Sequence, residues 1–127
     1  MKITALYAAL LAVLFLVLTI RTLNYRRTHK VEIGDGGDKQ LLRRIRVHSN
    51  FAEYVPMALL LIGFAESLGL SATAVHGLGL LLLAGRIVHA YGLSQTPHIL
   101  PMRAGGMVAT LAAIALAAAA CAWLSLN

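Results

Sequence analysis

The chain has 127 residues, of which 59% are hydrophobic and only 13% are charged, and its mean hydropathy is +0.77. A soluble domain carries about 25% charged residues, so this composition excludes an ordinary soluble fold and indicates an integral membrane protein. The net charge of +6 does not predict nucleic-acid binding, because most Lys and Arg residues lie between positions 21 and 44 and flank apolar stretches. The single cysteine, Cys121, excludes a disulfide within the chain, and no motif predicts a bound metal.

In chain order, an apolar run over residues 3–20 has about the length that a bilayer-spanning helix requires. Further helices are predicted at about 41–67, where Pro56 is tolerated, at 72–91, and at 102–126, which is rich in alanine. The sequence therefore predicts one all-α integral membrane domain over residues 1–127, built as a bundle of four transmembrane helices.

The first loop, at about 21–40, carries the largest share of basic residues, and this bias places it on the cytoplasmic side with both termini opposite. The loop contains GDGGD at 34–38. That stretch lacks the Lys-Ser/Thr ending and the strand–loop–helix setting of a phosphate-binding loop, so we predict a turn.

Polar residues interrupt the apolar helices at one depth. On the second helix, Arg46, Asn50 and Glu53 share a stripe flanked by Tyr54, whereas His48 points nearly the opposite way. The predicted topology brings this stripe to the same membrane half as the end of the third helix and the start of the fourth, which contribute Arg86, His89, Tyr91 and Arg103. Charged groups at membrane depth usually face a protein interior or a cavity, so the cluster predicts an anion-binding site.

Other interpretations of these residues remain open at the level of sequence. Arg46 and Arg103 can instead extend toward lipid headgroups. For Glu53 and for Arg86, taken separately, a purely structural ion pair is the alternative.

The stretch RVHSNFAEYVP, residues 46–56, resembles the second-helix signature of the MAPEG family, the membrane-associated proteins in eicosanoid and glutathione metabolism. Arg46, Asn50, Glu53, Tyr54 and Pro56 carry the match. The chain length, the four spans, the basic first loop and an arginine late in the third helix extend the resemblance over the whole chain. GRIVHAYG and IGDGGD resemble the small bacterial branch of the family.

The resemblance implies a homotrimer in the bacterial inner membrane that binds glutathione between neighbouring protomers. The tripeptide would be bound by four positions of the motif, by Arg86, and by His48 from the adjacent protomer. Arg26 or Arg27 would be a further contact. His89 and Tyr91 stand near the tyrosines of the eicosanoid branch, and Arg103 resembles the arginine that stabilises the thiolate. The motif positions implied as glutathione contacts are Arg46, Asn50, Glu53 and Tyr54.

The resulting functional hypothesis is a glutathione transferase or peroxidase that joins the thiol to a hydrophobic second substrate or reduces a lipid peroxide. Glutathione would act as co-substrate, without a metal. The alternative is a non-catalytic membrane protein that binds a lipid or another anion in the same cavity. A small transporter, with the polar cluster as its transit site, is a second alternative.

Overall fold

The computed structural model describes residues 1–127 as four α-helices and no strand. The helices are α1 (Lys2–His29), α2 (Lys39–Ser67), α3 (Ala72–Ser94) and α4 (Leu100–Leu126). Helices α1, α3 and α4 are long and apolar enough to cross a membrane. Helix α2 is also long, but its first half carries the polar residues of the predicted site. The all-helical prediction is therefore confirmed, and the chain is an integral membrane protein.

All four helices extend further at the end of the first loop than the sequence predicted. Helix α1 continues from Ile20 to His29, and α2, α3 and α4 each gain two or three residues at this end. The predicted limits followed the apolar runs, but backbone hydrogen bonding does not stop where the bilayer ends. Basic residues in the last turn of α1 also interact favourably with the negative end of the helix dipole, and Lys30 ends the helix in a left-handed conformation.

Helices α2 and α3 form the centre of the bundle. Helix α1 packs against both of them, α4 packs against both of them, and α1 does not contact α4. The first loop, residues 30–38, and the connection between α3 and α4 lie at the same end, which we name the loop-one end. The core consists of apolar side chains from all four helices, including Leu11, Leu18, Val47, Phe51, Ile62, Val75, Leu82, Ala113 and Ala117.

The GDGGD stretch forms the turn that the sequence predicted. Gly34, Gly36 and Gly37 have φ angles of 71°, 58° and 76°, a region that side-chain-bearing residues rarely adopt. Asp38 then begins α2, because its carboxylate accepts hydrogen bonds from the backbone N–H groups of Gln40 and Leu41. The hydroxyl of Tyr25 also donates to Asp38 Oδ2 at 2.8 Å, which ties the start of α2 to the end of α1.

At the opposite end, Glu66 near the end of α2 caps the start of α1. Its carboxylate accepts hydrogen bonds from the backbone N–H groups of Ile3 and Thr4, at 3.0 and 2.8 Å, and from the Thr4 hydroxyl at 2.6 Å. No side chain at the N-cap of α1 supplies these acceptors. Glu66 therefore satisfies backbone donors that a helix start leaves free, and it fixes α1 against α2.

Glycines allow α3 and α4 to approach each other closely at the loop-one end. A Cβ atom on Gly106 would lie 2.5 Å from both the Gly85 carbonyl oxygen and the His89 backbone nitrogen. A Cβ atom on Gly92 would lie 2.7 Å from the Arg103 backbone nitrogen. This backbone contact between the two helices sets the positions of His89 and Arg103.

We expect Gly106→Ala to destabilise the protein and Gly105→Ala to leave it unchanged or slightly more stable. The methyl group at 106 must push α4 away from α3, and overpacking of this kind costs about 1–3 kcal/mol. Gly105 is the matched control because a Cβ there meets nothing within 4 Å. Thermal unfolding in detergent measures the difference, and equal melting temperatures for the two variants would contradict the close contact.

We expect the Asp38 cap to stabilise the protein at neutral pH and to fade in acid. The Tyr25 hydroxyl, followed by the backbone N–H groups that Asp38 caps, holds the pKa of Asp38 below its ordinary value of 3.8. Because the folded pKa is lowered, the stabilisation is complete above the ordinary value and is lost as the pH falls through the folded pKa. Asp38→Ala should therefore lower the Tm by a constant amount at neutral pH, and this difference should shrink below about pH 4. Glu32→Ala, which removes an exposed carboxylate without a hydrogen bond, should show no such pattern.

Candidate functional site

A cavity of about 720 Å³ opens at the loop-one end between α2, α3 and α4. Four cationic side chains line it, and no carboxylate does. Such a surface attracts anions because nothing within it neutralises the positive charges. The polar lining residues are Lys39, Arg43, Arg46, Asn50, His89, His98 and Arg103, and the others are Leu42, Leu93, Leu100, Ala104 and Met107.

The positive charges come from two helices. Lys39, Arg43 and Arg46 are spaced four and three residues apart on α2, so they form one stripe, whereas Arg103 lies in the first turn of α4. Arg43 donates to the Gln95 carbonyl oxygen at 2.7 Å. The side chains of Arg46 and Arg103 are exposed and donate no hydrogen bond to the protein, so their guanidinium groups are free to bind a ligand.

The deepest part of the site is organised around Arg86, which is completely buried. Its Nη2 donates to Asn50 Oδ1 at 2.9 Å, its Nη1 lies 3.4 Å from the Thr110 hydroxyl oxygen, and its Nε has no partner. The guanidinium also lies over the Phe51 ring. No carboxylate pairs with Arg86, since the only ion pair in the chain joins the amino terminus to Glu66 at the other end. Arg86 is thus a buried cation without a counter-charge.

The hydrogen bond from Arg86 Nη2 also orients the Asn50 side chain. A guanidinium group only donates hydrogen bonds, so the Asn50 atom that faces Arg86 must be the amide oxygen. The Asn50 NH₂ group therefore points away from Arg86, and it makes no hydrogen bond to the protein. Because Asn50 lines the cavity, these two N–H groups add neutral donors to its positive surface.

His89 is held in one tautomer beside Arg103. Its Nδ1 lies 2.8 Å from the Arg103 carbonyl oxygen, and since a carbonyl only accepts, the proton of the neutral ring is on Nδ1. Its Nε2 then carries a lone pair, and this atom is buried without a partner. This unused acceptor is enclosed by the protein at the edge of the cavity.

The structure brings together four of the predicted site residues and places a fifth directly behind them. Arg46, Asn50, His89 and Arg103 line the cavity, and Arg86 contacts it through Asn50. These residues come from three helices, as the predicted topology required.

Four predicted residues lie outside the cavity. The His48 Nε2 lies 2.9 Å from the Thr19 hydroxyl oxygen, and its ring stacks on Phe15, between α1 and α2. Glu53 is exposed on α2, and neither it nor Arg86 forms the structural ion pair that the sequence left open for each of them. The remaining two, Tyr54 and Tyr91, are partly or largely exposed.

Three polar lining residues were not predicted as part of the site. Lys39 and Arg43 were interpreted only as topology-determining charges, because the second helix was expected to begin near residue 41. Continuing the Arg46–Asn50 stripe backwards by three and seven residues would have found both. His98 lies in the connection between α3 and α4, where no periodicity indicates which way a side chain points.

The sequence profile of the MAPEG family matches residues 4–123. The chain belongs to the MAPEG family. Among curated relatives, the inner membrane protein YecN of Escherichia coli K12 is 38% identical over 121 residues, which cover 95% of this chain and 91% of YecN. YecN of Escherichia coli O6:H1, strain CFT073, matches with the same values.

In this MAPEG protein we expect Asn50→Ala and Asn50→Asp to have opposite effects. The alanine variant removes the buried acceptor of Arg86 and should lower the free energy of unfolding by about 1.5–3 kcal/mol. The aspartate variant gives the buried cation a counter-charge and should be at least as stable as the wild type. Thermal unfolding in detergent tests both, with Ser49→Ala as the control on the neighbouring position. If the aspartate variant is as unstable as the alanine variant, Arg86 is not an uncompensated cation.

Proposed function

We propose that this protein is a membrane-bound glutathione-binding enzyme that transfers the thiol to a hydrophobic electrophile. The observation that carries the proposal is the cavity lined by Lys39, Arg43, Arg46 and Arg103, without a carboxylate, in a member of the MAPEG family. Reduction of a lipid peroxide by the same thiol is the related reaction. The relatives are named only as inner membrane proteins, so they supply the membrane setting and not the activity.

The charges of glutathione suit the cavity. The tripeptide has two carboxylates, and the planar fork of an arginine binds a carboxylate through two parallel hydrogen bonds. Arg46 has its whole guanidinium available for such a contact, and Arg43 retains donors beyond its bond to Gln95. The free NH₂ group of Asn50 offers a further donor to a carboxylate or a peptide carbonyl. The proposed ligand thus uses donors that the protein itself leaves unpaired.

The thiol must ionise before it reacts, since the thiolate is the nucleophile and a free thiol has a pKa of about 8.5. Arg103 is suited to this step because its side chain is unpaired and lies in the first turn of α4, at the positive end of the helix dipole. The thiol proton can leave to bulk water, because the cavity opens at the loop-one end. The thiolate sulfur then forms a bond to the electrophilic carbon of the second substrate as the leaving group departs.

Exposed polar residues on α2 support an assembly, and we propose a homotrimer. Glu53 has no partner in the protomer, although it lies three residues before Pro56 in the half of α2 that enters the membrane. A charged group at that depth is unfavourable unless it faces a protein surface or cavity, which a neighbouring protomer provides. In this proposal Glu53 binds the amine of glutathione, Tyr54 contacts the same ligand, and His48 comes from the adjacent protomer.

The proposed location is the bacterial inner membrane, with the first loop on the cytoplasmic side. The concentration of Lys and Arg around that loop supports this orientation. The relatives from Escherichia coli are inner membrane proteins. The cavity would then open toward the cytoplasm, where a small anionic thiol is dissolved.

The proposal predicts a saturable ultraviolet thiolate band when glutathione is added to the purified protein at neutral pH. Arg103→Ala should abolish the band and lower the rate of conjugation roughly 100-fold, as removal of a charge-stabilising donor typically does. Its effect on glutathione affinity, measured by calorimetry, should be far smaller. Lys2→Ala, which removes an exposed cation outside the cavity, should change neither the band nor the rate.

The outcomes separate the alternatives. Binding without a thiolate band would favour a non-catalytic protein that holds an anion in the same cavity. Uptake of glutathione into liposomes that contain the protein would favour a transporter. The absence of both binding and a band would contradict the proposal and leave the cavity to a different anion.

A further inference from the structure

A second basic pocket of about 420 Å³ lies at the loop-one end, on the side of the bundle formed by α1. It shares no lining residue with the cavity described above. Five of its residues lie at positions 21, 24, 25, 28 and 29 of α1, a spacing that places them on one helix face. Its lining residues are Arg21, Asn24, Tyr25, Thr28, His29 and Arg44.

Two arginines meet in this pocket without a counter-charge. Arg44 Nη1 lies 3.4 Å from the Arg21 carbonyl oxygen, and Arg21 Nη2 donates to the Ser94 hydroxyl at 2.8 Å. Neither guanidinium is paired with a carboxylate. Arg44 Nε is buried and has no hydrogen-bond partner, so part of a charged group remains unsatisfied in the protein alone. The pocket therefore contains two guanidinium charges that no carboxylate of the chain neutralises.

Tyr25 holds Arg44 in place. The Arg44 guanidinium carbon lies 4.7 Å from the centre of the Tyr25 ring, and the His29 ring stacks on the same tyrosine. Tyr25 is in turn fixed by its hydrogen bond to Asp38. The side chain of Arg44 is therefore oriented before any ligand arrives, which lowers the entropic cost of binding.

The position of the pocket indicates what reaches it. Arg21 is the first cation after the apolar part of α1, so it lies where the hydrocarbon region gives way to headgroups. Asn24 and Thr28 extend the same face by one and two turns and offer neutral polar groups. Phosphate oxygens are the anionic groups present at this depth in a bilayer, and the arginine fork binds them bidentately.

We propose that Arg21 and Arg44 bind the phosphate of an anionic phospholipid headgroup, at a site separate from the glutathione cavity. The chemistry is that of a phosphate bound by two guanidinium groups, with Asn24 and Thr28 as neighbouring polar groups. The site would attach a lipid to the junction of α1, α2 and α3, because Arg21 also contacts Ser94 on α3.

The test uses the full-length protein in a zwitterionic detergent, titrated with short-chain phosphatidylglycerol while the Tm is followed. We expect saturable stabilisation of the wild type, with binding about tenfold weaker in both Arg44→Gln and Arg21→Gln. Arg27→Gln is the matched control, since it removes the same charge from an exposed position of α1 outside this pocket. Arg44→Lys retains the charge without the fork and should bind more weakly than the wild type.

Parallel titrations with phosphatidylcholine and with inorganic phosphate identify the source of the phosphate. Stabilisation by phosphatidylglycerol alone supports a lipid site, and equal saturation by inorganic phosphate assigns the site to free phosphate. If Arg27→Gln weakens binding as much as Arg44→Gln, the attraction is a general effect of surface charge and the proposal is overturned. Circular dichroism must show that each variant is folded before a loss of lipid stabilisation is assigned to the site. Arg44→Lys tests the same site in a variant that keeps its positive charge.

Discussion

The guanidinium group of Arg86 joins three helices at the floor of the basic cavity. It reaches from α3 to Asn50 on α2 and toward Thr110 on α4, and it is completely buried without a carboxylate. Taking a charge out of water is unfavourable, and two neutral acceptors offset only part of that cost. The uncompensated charge of Arg86 therefore attracts anions to the cavity above it. It also turns the Asn50 amide so that its donors face the cavity, which links the packing of the helices to the chemistry of the site.

The contact between α3 and α4 shapes the rest of the cavity. Gly85, Gly92 and Gly106 let the two backbones meet, and the His89 ring can then bond to the Arg103 carbonyl oxygen. A residue of ordinary size at any of these glycines would separate the helices and move both functional side chains together. The fold thus positions the proposed thiolate-binding arginine by backbone contact between helices, and its side chain is left free for a ligand.

The membrane class, the helix count and the central stripe of the site could be predicted from sequence because each depends on local periodicity or on composition. Arg46 and Asn50 follow from helical spacing, and Arg86 follows from its depth in an apolar segment. Arg43 and His98 were missed for a different reason. The end of an apolar run does not mark the end of a helix, and the direction of a side chain in a connection depends on tertiary packing. The absence of a partner for Glu53 could not be predicted either, since pairing depends on how α2 rotates against its neighbours.

Helix α1 has 28 residues, so it is about 42 Å long, whereas the hydrocarbon core of a bilayer is about 30 Å thick. The polar end of α1, from Arg21 to His29, is longer than the bilayer requires and extends beyond it at the loop-one end, together with the first turns of α2. Lys39 and Arg43 lie in the first two turns of α2 at this end, and Asn50 lies two to three turns further along the helix. In the proposed function, a water-soluble thiol enters the cavity from the aqueous side, and a hydrophobic electrophile enters from the lipid. The proposed reaction would then join two substrates that dissolve in different phases.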